Sequence, residues 1–205
     1  MPRRMLVAMQ MEEFMTRRYE LRFNRMKGCK EYRERHSLFT DYRPVTAEAV
    51  KSICFEAQLE GISAIEYDVQ RYVDSRRVSH YWPIEEFLFD LPHWDGQDRI
   101  RALADCVPCE NKEWRDFFYI WFLSMVAHWL QMDREHANST SPLLVGPQGC
   151  RKSSFCQSLL PPELRPYYVD GIDLGSRKDA EMALNRFALI NLDEFDSIPA
   201  SRQPY

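Results

Sequence analysis

The sequence predicts an α/β chain: a mainly helical N-terminal region with a β-hairpin, followed by the first, incomplete part of a parallel sheet. Three observations predict it. Residues 19–24 (Tyr-Glu-Leu-Arg-Phe-Asn) alternate apolar and polar with period 2, the signature of a half-buried strand. Residues 46–131 carry apolar side chains at helical spacing between Pro and Gly breaks. Two short apolar runs, 142–145 and 187–192, each lead into a polar or glycine turn, as buried parallel strands do. With 45% apolar and 13% aromatic residues, the 205-residue chain has enough material for a core, which excludes wholesale disorder.

Charge sets the front of the chain apart. The net charge is −4, yet residues 1–43 hold 11 Lys/Arg against 6 Asp/Glu while the remainder holds 16 against 25. A basic front on an acidic body points to an anionic partner near the N-terminus, and the competing reading is a solvated arginine surface. Met-Pro-Arg-Arg is followed by a short apolar stretch that Glu12 and Glu13 interrupt, unlike a secretion signal.

The strand at 19–24, a turn at Met26-Lys27-Gly28 and a second extended stretch from Glu31 to Arg35 form the expected hairpin. Its polar edge carries Arg22, Arg25, Lys27, Lys30, Arg33 and Arg35 among Tyr19, Phe23 and Tyr32. Basic residues interleaved with aromatics hold single-stranded nucleic acid by phosphate pairing and base stacking. The alternative turns the aromatics inward and the arginines to water. Residues 1–45 are expected to be a basic hairpin region.

Thr46 caps a helix whose Ala49, Val50, Ile53, Cys54, Ala57 and Leu59 share a face, and Gly61 stops it. Shorter helices follow over about Ile65–Val73 and from Pro83 to the Leu91-Pro92 break. The turn His93-Trp94-Asp95-Gly96 leads into a helix from Asp98 to Cys106. A long helix from about Lys112 to Gln131 carries Trp114, Phe117, Phe118, Trp121, Phe122 and Trp129, a density that marks core packing. Ser124, His128 and flanking charges distinguish it from a membrane span. These elements make a helical domain over 46–135, with the boundary to the last domain, 136–205, in the polar stretch Asp133–Ser141.

Six cysteines without a secretion signal predict reduced thiols in a cytoplasmic protein. Cys106-Val-Pro-Cys109 has ligand spacing, but no second pair completes a zinc site, so structural thiols are expected.

The chemistry concentrates at 142–154, Pro-Leu-Leu-Val-Gly-Pro-Gln-Gly-Cys-Arg-Lys-Ser-Ser. Glycines at 146 and 149 let backbone N–H groups turn toward an anion, and Lys152-Ser153 opens a helix with Phe155, Leu159 and Leu160. This is the layout of a phosphate-binding loop. The turn from Gly146 through Pro147, Gln148, Gly149, Cys150, Arg151, Lys152 and Ser153 to Ser154 is expected to surround the phosphates of ATP. Lys152 supplies the cation at the β/γ-phosphates, and Ser153 a hydroxyl ligand for Mg2+. The pattern calls for Gly where Arg151 stands. Arg151 is expected to take a near-helical conformation and point outward. Cys150, within the turn, is an oxidation target if exposed.

Residues 187–196, Phe-Ala-Leu-Ile-Asn-Leu-Asp-Glu-Phe-Asp, supply the second element. Nucleotide hydrolysis needs a carboxylate near the metal and a second to polarise the attacking water. Asp193 suits the first role and Glu194 the second. The segment between Ser153 and Asp193 accommodates a helix, a strand and a second helix, the content of parallel crossovers.

With these segments assembled, the chain resembles the virulence-associated protein E family. These are P-loop proteins of phages and mobile elements, similar to superfamily 3 helicase-type ATPases of primase–helicase proteins. The resemblance is carried by Leu91-Pro92-His93-Trp94-Asp95-Gly96-Gln97-Asp98-Arg99, by the helix with Trp121 to Trp129 and by Gly146 to Ser153. It extends through Phe155-Cys156, Leu159 to Leu164, Tyr167-Tyr168 and Asn191-Leu192-Asp193-Glu194-Phe195. It implies phosphate binding by Gly146, Gly149, Lys152 and Ser153, metal coordination by Ser153 and Asp193, and water activation by Glu194. It also implies DNA, single-stranded or forked, as partner, a homo-oligomeric ring in the full-length protein, and no membrane association.

Tyr205 lies 11 residues beyond Glu194. The sequence is therefore expected to be the N-terminal part of such an ATPase, without the later sensor strand and arginine finger. The alternative is a remnant or scaffold that binds nucleotide or a partner without hydrolysis.

Overall fold

Val7, Met11, Phe14 and Met15 recur at helical spacing, and all four are buried on one side of α1 (Arg3–Arg18). This helix was not expected from the sequence. The structure, a computed structural model, describes residues 2–132, 140–172 and 177–192. The chain forms two units, Met1–Pro83 and Ile84–Tyr205.

In the first unit the expected hairpin forms from β1 (Tyr19–Asn24) and β2 (Cys29–Glu34), paired antiparallel from Tyr19↔Glu34 to Asn24↔Cys29. The turn between them contains Gly28 at φ +66, a conformation that glycine adopts without steric cost. Two very short strands extend the sheet. These are β3 (Arg43–Pro44), antiparallel to β2, and β4 (Ser79–Tyr81), parallel to β1, giving the order β3-β2-β1-β4.

The helix opened by Thr46 is α2 (Ala47–Leu59), and the Thr46 hydroxyl accepts from the Ala49 N–H at 3.2 Å. In α3 (Glu66–Val73) the Asp68 carboxylate accepts from the Ile65 N–H at 3.1 Å. Tyr19 from β1 joins Phe14 and Met15 of α1, Ile53 and Ala57 of α2, and Val69 and Val73 of α3 in one core. The hairpin and the helix after Thr46, expected in separate domains divided at residue 45, thus share their apolar interior.

The second unit runs through α4 (Pro83–Phe89), α5 (Arg99–Ala104) and α6 (Trp114–Trp129). Asp98 caps α5 through the Arg101 N–H at 3.0 Å. Phe118 is 1% exposed and touches Trp114, Trp121, Phe122 and Phe155, whereas Phe117 and Ile120 on the opposite face of α6 are 58% and 60% exposed. The aromatic helix is therefore core on one side only. The rest comprises α7 (Lys152–Ser158), a short 3-10 turn (Arg165–Tyr167), β5 (Tyr168–Asp170), α8 (Arg177–Arg186) and β6 (Leu189–Asn191). The expected helix–strand–helix content before Asp193 is thus present. Strands β5 and β6 pair in parallel, Tyr168↔Leu189 to Asp170↔Asn191, with α8 as the crossover.

One expected strand does not form. Residues 140–147 take no regular secondary structure, and Leu143 and Val145 are 76% and 87% exposed. A strand exists only through a ladder partner, and among the described residues the parallel sheet consists of β5 and β6. Most of the expected boundary at 133–141 lies outside the described residues. Among those described, no helix is long and apolar enough to cross a membrane.

Candidate functional site

The glycine turn at 146–151 stands exposed ahead of α7. Gly149 has φ +81, in the region where only glycine rests without steric cost. Gly146 is closely approached: a Cβ there would lie 3.2 Å from the Cys150 sulfur, so the turn closes on a residue without a side chain. Lys152, the first residue of α7, folds back over the turn. Its ammonium donates to the Gly146 carbonyl at 2.9 Å and the Pro147 carbonyl at 3.1 Å, and lies 3.7 Å from the Cys150 sulfur. The loop therefore holds a cation at its own centre, fixed by two backbone oxygens. Pro147, Gln148, Cys150 and Ser154 are exposed around it, and Ser153 is half-buried in the first turn of the helix.

Arg151 departs from expectation. It sits at φ 66, ψ 29, in the left-handed region rather than the near-helical one. The pattern asks for glycine at this position because the chain must reverse its hand to enter α7. An L-residue bears a steric cost of about 1 kcal/mol there. The reversal is nevertheless made with arginine, and the Phe155 N–H reaches the Arg151 carbonyl at 3.0 Å.

Behind the loop, α7 packs through Phe155 and Leu159 against Phe118 of α6 and Leu189 of β6. At the carboxyl end of the sheet, Tyr168, Asp170 and Asn191 share one face, since Tyr168 and Asp170 are two apart on β5 and Asn191 is the ladder partner of Asp170. The Tyr168 hydroxyl donates to Asp170 Oδ1 at 2.6 Å, and Asn191 Nδ2 donates to the same oxygen at 2.9 Å. The Gly171 N–H bonds the Asn191 carbonyl at 2.6 Å. Burial, then the bond to Asp170 and its charge, push the Tyr168 hydroxyl well above the ordinary phenol value, and Cys156 of α7 contributes in the same direction. Sequence reasoning missed this group; the signal available was a polar residue closing each of two short apolar strands.

Asp193 and Glu194, the expected metal ligand and water-activating residue, lie outside the described residues. Among the described residues, no three His, Cys, Asp or Glu side chains are grouped to hold a metal ion.

The hairpin cations have internal partners. Glu31 is fully buried, and it receives Arg22 Nε at 2.9 Å, Lys27 Nζ at 2.9 Å and Asn24 Nδ2 at 3.2 Å. Burial raises the Glu31 carboxyl, but the donors Lys27, Asn24 and Arg22 outweigh it and hold the group below its ordinary value. The Arg22 guanidinium is stacked between Tyr42 and Tyr81, 3.6 Å from each ring centre. Arg33 binds Glu20, Lys30 binds Asp74, and Arg35 donates to the Thr16 and Tyr19 carbonyls. Tyr19 and Tyr32 pack inward. Arg25 is exposed and stacked 4.3 Å from the Trp82 ring.

The LPHWDGQDR segment forms a braced turn. Asp95 takes both Arg99 nitrogens at 2.8 and 2.6 Å, its Oδ1 also accepts from the Gln97 N–H, and the Trp94 indole donates to the Gln97 carbonyl. Arg99 first, then the Gln97 amide, hold the Asp95 carboxyl far below the usual carboxylate range.

The family model of the virulence-associated protein E-like domain matches residues 88–203, a span that takes in this turn, α5 to α8 and the glycine loop. No curated protein and no solved structure matches the chain.

Proposed function

The chain belongs to the virulence-associated protein E-like family, and from that premise we propose that its second unit binds Mg·ATP at the 146–154 loop. It does so as part of a mobile-element ATPase of the helicase and replication type. The observation that carries this reading is the Lys152 ammonium, held over the carbonyls of Gly146 and Pro147 in a glycine turn that opens α7. The residues fit the ligand. Gly146 leaves open a position that a Cβ would crowd, Gly149 supplies a positive φ, and both let loop amides approach an anion.

In this reading Lys152 leaves its carbonyl partners for the β- and γ-phosphate oxygens, exchanging neutral acceptors for charged ones. Ser153 and Asp193 would hold Mg2+, which would supply charge neutralisation at the phosphates. Glu194 orients the attacking water and takes its proton. The DNA partner, single-stranded or forked, and the homo-oligomeric ring belong to the same proposal. Arg22, Lys27, Lys30 and Arg33 have internal partners, so within the hairpin Arg25 is the residue to test for nucleic-acid contact.

Calorimetric titration of residues 1–205 with Mg·ATP tests the loop. Lys152→Ala is expected to weaken binding at least tenfold, about 1.4 kcal/mol. Equal affinity in wild type and variant would remove the loop from the account.

A further inference from the structure

On the phosphate-loop reading, we propose that Asp170 is a positioning residue: with Tyr168 and Asn191 it forms a side-chain clamp that fixes the end of β6, two residues ahead of Asp193. The clamp has a defined geometry. Two donors from different strands, the Tyr168 hydroxyl and Asn191 Nδ2, converge on Asp170 Oδ1 at 2.6 and 2.9 Å, next to the Gly171–Asn191 backbone bond at 2.6 Å. Ligands of open parallel sheets bind beyond the carboxyl ends of the strands, and the clamp closes that end of both strands.

The sheet needs such a device. Strands β5 and β6 have only three residues each, and their ladder ends at the Asp170↔Asn191 pair. A short strand frays at its last pair, and a side-chain bond across that pair opposes the fraying. The bonds to Asp170 join β5 and β6 and involve no residue of the 146–154 loop, so their loss acts at Asn191 and leaves the loop's own hydrogen bonds in place.

The test separates metal-dependent from metal-independent nucleotide affinity in residues 1–205, by calorimetry with ATP in Mg2+ and with ATP in EDTA. Asp170→Ala is expected to leave the EDTA affinity within twofold and to reduce the gain brought by Mg2+ at least fivefold. Asn191→Ala, made on the other strand, should reproduce this. The exchange Asp170→Asn with Asn191→Asp restores a donor–acceptor pair across the strands and should return the Mg2+ gain to within twofold of wild type. An unchanged gain in both alanine variants overturns the proposal. So does an equal fall with and without metal, which marks a brace for the whole unit, and so does failure of the exchange to rescue. Absence of ATP affinity in the wild-type chain overturns the phosphate-loop reading itself.

Discussion

The two units put their polar groups to different uses. In Met1–Pro83 the charged side chains are turned on one another: Glu31 is fully buried beneath Arg22, Lys27 and Asn24, and Arg22 is stacked between two tyrosines. In the second unit the glycine loop is exposed, and its lysine rests on two backbone carbonyls, partners that an anion outcompetes. Lysine near a turn meets the Glu31 carboxylate in the hairpin, as Lys27, and neutral backbone carbonyls in the glycine loop, as Lys152. What separates them is the neighbouring carboxylate. Composition reveals the cations; the partner across the strand decides whether they remain available.

The comparison breaks first at the cores. Phe118→Ala removes a ring that touches four other aromatics and is expected to destabilise the second unit by about 4 kcal/mol. Tryptophan fluorescence, dominated by Trp94, Trp114, Trp121 and Trp129, should report an early urea transition. Amide exchange in Tyr19–Glu34 should stay slow. Loss of protection in both units together would show that they do not unfold independently.

Glu31→Ala is expected to cost the first unit about 3 kcal/mol, because it removes the buried carboxylate on which Arg22 and Lys27 both converge. The pH dependence sharpens the same point. The folded Glu31 carboxyl lies below its ordinary value of 4.5, so its contribution is present above about pH 4.5 and is lost as pH falls through the lower folded value. Amide exchange of the hairpin should therefore accelerate below pH 4.5 in wild type, beyond the intrinsic pH effect, and this component should vanish in Glu31→Ala. A hairpin with the same acid response in both proteins would assign that stability elsewhere.

How far the sequence disclosed this architecture depends on the range of the forces involved. Local signals held: period 2 gave the hairpin, Thr46 and Gly61 bounded α2, and the apolar run before Asp193 contains β6. Non-local ones did not. Strands β3 and β4, two and three residues long, exist only through their pairing with β2 and β1 and carry no period of their own. The apolar run at 142–145 looked like a strand, but no described strand pairs with it. Within the candidate site the loop residues and the start of α7 were legible, because glycine spacing reports backbone shape directly. The left-handed Arg151 was not, since nothing in an arginine announces its φ, and neither was the Asp170–Asn191 clamp, which depends on register between distant strands.

The smallest expected effect follows from that backbone. Arg151→Gly removes the steric cost of the left-handed conformation, about 1 kcal/mol, but gives the unfolded chain extra freedom. The net gain should be about 0.5 kcal/mol in the second unit, seen as a small rise in its urea midpoint. A clear fall would mean that the arginine side chain holds the loop together.

Hydrogen exchange across 146–156, read with and without Mg·ATP, tests the central claim most directly. An occupied loop should slow exchange of its amides and of the first turn of α7, leave the Tyr19–Glu34 hairpin unchanged, and lose the effect in Lys152→Ala. Protection absent from the loop, or equal in wild type and Lys152→Ala, would contradict the assignment of the nucleotide to this site.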